Sequence, residues 1–261
     1  MKLIRKSLIA STLAPLALCA STSIANAQSV AEHIAAGDRA HAAFNSVEAL
    51  KQYDAAIALD STNAEALGKA SRAAMDIGES EPNRARRDSL YRVGERYARA
   101  AVAANPNEAE HHFALARALG RAALSVGVRD RVKYAKEIRL AALKALEIDA
   151  NHPGALHVMG VWNAEVMRLN GVQRFFAKSF LGGAILGTAN WKDAVSYMER
   201  AVEVDPGRLT HRLDLAKIYM DVKDTGKARE QLQHIEAATT QTDINDPLYK
   251  REAKELLAKI K

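Results

Sequence analysis

Four times along the chain an apolar segment closes on the same short motif and breaks into a turn. "AIALD" ends at Asp60, "AVAAN" at Asn105, "ALEID" at Asp149 and "AVEVD" at Asp205. The intervals between these ends are 45, 44 and 56 residues. A near-constant interval of this size is produced by stacked supersecondary units, each unable to bury its apolar face alone. The segments between turns are rich in Ala, Leu, Glu, Lys and Arg, all good helix formers. No alternating Val/Ile/Thr run suggests a sheet. The turns read "STNAEAL", "PNEAEHH", "ANHPGAL" and "PGRLTHR", with Pro106 and Pro206 just past a helix end, where proline disturbs no preceding turn. Asp60, Asn105, Asp149 and Asp205 are expected to cap the helices that follow.

Within the helices a small–large–small stripe recurs. Ala49, Tyr53 and Ala56 fall at spacings of four and three, and Ala194, Met198 and Ala201 repeat the pattern. Ala228 and Leu232 begin it again after "DVKDTG", and Leu215, Ala216 and Tyr219 form a matching stripe. Such stripes let two helices approach closely around one bulky side chain. The pattern resembles the tetratricopeptide repeat, although the interval exceeds the usual length of about 34 residues. It implies an all-α solenoid of about four to five helix pairs, with an inserted helical segment near 170–190 that accounts for the longest interval. An irregular helical bundle is the alternative.

A longer resemblance begins near Ala155. "GVWNAEVMRLNGVQRFFAKSF", "DAVSYMERAVEVDP" and "LDLAKIYMDVKDTGKAREQL" are similar to the tetratricopeptide-like domain of the regulator of microtubule dynamics proteins and their bacterial relatives. The residues that carry it are Gly160, Trp162, Glu165, Val166, Ala177, Phe180 and a displaced Gly182. The resemblance implies the fold and no ligand. A microtubule role does not carry over to a chain with an export signal.

That signal occupies residues 1–27. Lys2, Arg5 and Lys6 precede the largely apolar stretch from Leu8 to Ile24, and Ala25-Asn26-Ala27 is an A-x-A cleavage pattern. An uncleaved anchor or a lipoprotein attached through Cys19 are the alternatives. Cleavage leaves the repeat domain, 28–261, in the periplasm or outside the cell. It also removes the only cysteine, and with it a disulfide framework or thiol nucleophile. Loss of three basic residues lowers the formal charge from +6 to +3, which does not call for nucleic acid.

Chemistry is sparse. The eight histidines show no i, i+4 pair and no H-E-x-x-H, so no metal is expected. "GGAILGT", from Gly182 to Thr188, has the outline of a phosphate loop without its lysine. It reads better as a turn in the insert. No nucleophile, base and orienter assemble, and no cofactor is implied. The apolar run Val172 to Leu186 is expected to be core or lid rather than an exposed lip.

The expected function is therefore a non-enzymatic, exported interaction module that takes a peptide or partner protein in a concave groove. A secreted enzyme or small-molecule binder using the Trp162–Trp191 region is the alternative. In tetratricopeptide repeats the first helix of each pair faces the groove. Counted from the turn, one such position holds Arg72, Arg117, Val161 and Lys217. Arg121 lies one turn beyond Arg117, and His157 and Asn163 extend the wall. These basic groups suit an acidic partner segment, since arginine grips a carboxylate with two parallel hydrogen bonds. Partners of Asp76, Glu110 or Glu165 within the chain are the competing role for the same side chains.

Overall fold

The computed structural model describes residues 16–170 and 183–260. They form eleven α-helices and no strand. In chain order these are α1 (Leu16–Ala42), α2 (Ser46–Leu59), α3 (Ala64–Ser80) and α4 (Arg84–Ala104). Then come α5 (Ala109–Ala122), α6 (Val128–Ile148), α7 (Pro153–Arg168) and α8 (Trp191–Val204). The last three are α9 (Leu209–Asp221), α10 (Thr225–Ala237) and α11 (Asp246–Leu257). Five antiparallel pairs stack in sequence, α1 with α2 through α9 with α10, and α11 covers the last. The four motifs close α2, α4, α6 and α8. They thus end the second helix of each of the first four pairs.

The stripes are the core. Ala49, Tyr53, Ala56, Ala194, Met198, Ala201, Ala228 and Leu232 are all fully buried. Met198 packs in one cluster with Ala164 of α7 and Ala216's neighbours Leu215 and Tyr219 of α9. Close approach is literal at Gly160 of α7. A Cβ built there would meet the Ala194 carbonyl at 3.2 Å and Met198 at 3.1–3.2 Å.

The motif residues Asp60, Asn105, Asp149 and Asp205 do not cap the following helices. Asp60, Asn105 and Asp149 instead accept the backbone N–H two residues on, from Thr62, Asn107 and Asn151. Each turn places its motif residue too far ahead of the next helix, so its side chain braces the turn itself. Asn63 caps α3, receiving the Ala66 amide at 3.0 Å, and His152 caps α7 through Nδ1. Asn63→Ala is expected to cost about 1 kcal/mol of stability, read by urea denaturation.

The insert returns to the core at its C-terminal end. Gly183–Thr188 forms a 3-10 turn, and Leu186 is buried with Val132, Trp162 and Val166. Ala177, Phe180, Gly182 and the other phenylalanines of the insert, Phe175 and Phe176, lie outside the described residues, as do Lys2, Arg5 and Lys6. No helix among the described residues is long and apolar enough to cross a membrane.

Candidate functional site

The first helices of the pairs, α1, α3, α5, α7 and α9, stand side by side with α11 at the end of the row. Each step along the row carries an acid–base pair. Lys69 Nζ of α3 donates to Asp38 of α1 at 2.6 Å, and His41 lies 3.6 Å from Asp76. Arg117 of α5 donates to Asp76 at 2.7 Å and to Glu79 at 3.3 Å, and Arg121 pairs with Glu79 as well. His152 Nε2 lies 3.1 Å from Glu110. His157 of α7 lies 2.9 Å from Asp214 of α9, and Lys217 bridges Asp214 at 3.1 Å to Glu252 of α11 at 2.9 Å.

These pairs set the electrostatics of the wall. Burial works to raise the Asp76 carboxyl, yet Arg117 and His41 outweigh it and hold it below the ordinary carboxylate value. At Asp214 burial is likewise overcome by His157 and Lys217, and its carboxyl falls far below that value. Burial drives His211 the other way, with His157 and Arg208 adding to the effect, and its imidazole is pushed down to about 2. Its ring stands 4.9 Å from that of His157.

The consequence of His211 is a pH dependence. The folded imidazole is neutral, whereas the unfolded one takes up a proton below its ordinary value of 6.5. Stability is therefore full above that value and declines as the pH falls. We expect a loss of about 1 kcal/mol between pH 6 and 5 in urea denaturation, and His211→Phe to flatten that slope. Parallel slopes for the two proteins would assign the acid sensitivity elsewhere.

The predicted site residues divide. Arg117, Arg121, His157 and Lys217 do share the wall, and each is engaged by a carboxylate of a neighbouring helix. Arg72 sits beside the Tyr53–Asp38 hydrogen bond, and its Nε is buried without a hydrogen-bond partner. Asn163 is buried, donates to the Met159 carbonyl and accepts the Asn190 amide, so it anchors the start of α8. Glu165 pairs with Arg168. Trp162 and Trp191 belong to different clusters, and the Trp162 indole N–H is spent on the Ala135 carbonyl at 2.7 Å.

A segment that sequence reasoning missed crosses this wall. After α10 the exposed run Thr239–Thr242 leads to Asp243, Ile244 and Asn245. Asp243 pairs with Arg208 at 3.1 Å. The Asn245 side-chain amide donates to the Asp76 carbonyl at 3.4 Å and to Glu79 at 3.3 Å, joining the last pair of helices to the second. Ile244 borders a cleft of about 380 Å³ with Phe44, Val47, Ile77 and Ser80. Phe44 holds a φ of 56° there, uncommon for an aromatic residue. One signal for the ladder exists in the sequence: acid and base stand roughly one repeat apart, as Asp76 and Arg117 do. The crossing loop has no such signal. Among the described residues no three His, Cys, Asp or Glu side chains converge to hold a metal.

The profile of Regulator of microtubule dynamics protein 1-3 matches residues 31–261. The chain belongs to this family. Regulator of microtubule dynamics protein 1 of Bos taurus is 26% identical over 163 residues, covering 62% of this chain and 51% of that protein. The Pongo abelii protein of the same name matches equally. The chain thus spans about half the length of these curated family relatives. Among solved structures, a thermophilic TPR protein of Thermus thermophilus superposes with a TM-score of 0.59 at 16% identity. That match covers 87% of this chain and 99% of the other. The Pseudomonas aeruginosa pilF structure gives 0.52 at 12% identity, over 89% and 90% of the two chains. These likenesses agree with the TPR-like solenoid of this family member.

Proposed function

We propose that the chain is an exported, non-enzymatic interaction module that receives a segment of a partner protein on its inner wall. The observation that carries this reading is the crossing loop. A stretch of polypeptide already lies across the wall, held by Arg208 on its carboxylate and by side-chain-to-backbone bonds. That loop supports a wall able to hold a chain segment, and Arg208, which grips the loop's own Asp243, favours one with carboxylates. Export is supported by the leader of residues 1–27, which precedes the residues that match the family.

Photo-crosslinking in the native envelope tests the groove. A crosslinker at His41 or at Glu252, two ends of the wall, should trap a discrete protein partner, and high salt should suppress the product. Crosslinks to protein confined to outer positions such as Arg92 and Lys136 would overturn the groove. Intact-mass measurement tests export: a mature chain beginning near Gln28 is expected, and a lipid-modified Cys19 would refute that processing.

A further inference from the structure

The cationic charge of this protein is concentrated on two helices of the outer layer. Together α4 and α6 carry twelve Lys and Arg against five Asp and Glu, an excess of seven, whereas the whole chain has an excess of six. Their outer-layer neighbours α2 and α8 each have one acid in excess. Side chains bridge the two helices: Tyr134 donates to Glu95 at 3.1 Å, and Arg99 to Glu137 at 2.8 Å.

Within this patch the charges are sorted. Glu95 lies in the seam between the helices, its side chain only 14% exposed. Arg92, Arg96 and Arg99 follow one another along the exposed stripe of α4, and Lys133, Lys136 and Leu140 along that of α6. Arg92 and Lys136 have no ion-pair partner among the described residues. Leu140 is 52% exposed between the cations, and Leu124, in the turn before α6, is 59% exposed.

We propose that this outer face docks on an anionic phospholipid surface. A linear acidic peptide laid in the seam would meet Glu95 and Glu137. A planar layer of anions resting on the two ridges meets Arg92, Arg96, Lys133 and Lys136 instead. A headgroup layer also accepts both exposed leucines beside the cations, which an aqueous polyanion does not. The face is separate from the inner wall, so it does not depend on the groove reading.

Flotation of the purified mature chain, beginning near Gln28, with vesicles tests the proposal. Binding is expected to phosphatidylglycerol–phosphatidylcholine vesicles and not to pure phosphatidylcholine, with loss in high salt. The combined Arg92→Gln, Arg96→Gln and Lys136→Gln variant should partition about a hundredfold more weakly, about fivefold per charge. Lys217→Gln, on the inner wall, should leave partitioning unchanged. In an otherwise intact chain, the emission of a Leu140→Trp variant should shift to the blue on anionic vesicles. The proposal fails if the triple variant binds as the native chain does, or if the Leu140→Trp emission is unmoved. It also fails if polyglutamate or duplex DNA binds more tightly than the anionic vesicles.

Discussion

Arg117→Ala is expected to lower the unfolding free energy by about 3–5 kcal/mol at neutral pH. The side chains of Asp76 and Glu79 are only 4% and 8% exposed, and Arg117 reaches both. Removing the guanidinium leaves two carboxylates with little water to replace it. His41 remains near Asp76 and Arg121 near Glu79, which places the loss within the range for a broken pair rather than beyond it. Adding Arg121→Ala should cost less than the sum of the single changes, because both arginines serve Glu79. The pH dependence has a definite sign. Arg117 holds the Asp76 carboxyl below its ordinary 3.8, so its contribution is present above that value and fades as the pH falls through the folded one. Urea denaturation at neutral and at strongly acid pH should show the gap between native and variant proteins narrowing in acid. A neutral-pH difference below about 1 kcal/mol would show that the pair is unimportant to the fold. It follows that Arg117 is a poor position at which to probe binding by alanine substitution, since the fold responds first.

Ala201→Leu should destabilise by about 1–3 kcal/mol through overpacking. Ala201 is fully buried at the end of α8, in a cluster with Leu156 of α7 and with Leu215, Ile218 and Ala228 of the following pair. A close-packed interior has no room for three further carbon atoms without displaced helices or strained rotamers. Ala201→Gly, which removes volume instead, serves as the comparison and should act mainly through helix propensity, at about 1 kcal/mol. A thermal melt unchanged by Ala201→Leu would contradict the tight contact of α7, α8 and α9.

The wall residues show how far a sequence can specify a site. Repeat register placed Arg117, Arg121, His157 and Lys217 on first helices of successive pairs, and the structure has them in one row. Register says where a side chain sits along the stack and nothing of what stands opposite. The carboxylates that engage Arg117, Arg121 and His157 come from other repeats: Asp76 lies 41 residues from Arg117, and Asp214 lies 57 from His157. Asn163 illustrates a further gap. It shares the expected face, but its amide is consumed by the Met159 carbonyl and the entry to α8. The caps differ for a local reason, since Asp60, Asn105 and Asp149 find a nearer amide within their own turns.

The sequence by itself determined the helical solenoid, its closing motifs and the buried stripes, because local propensity, turn residues and 3.6-residue periodicity act over short distances. Only the tertiary structure decided that the inner cations are neutralised pair by pair and that Asn245 reaches Asp76 across 169 positions of chain. It also decided that the charges of α4 and α6 form one outer face. Electrostatic partnership depends on distance in space, and the stacking of the pairs fixes that distance.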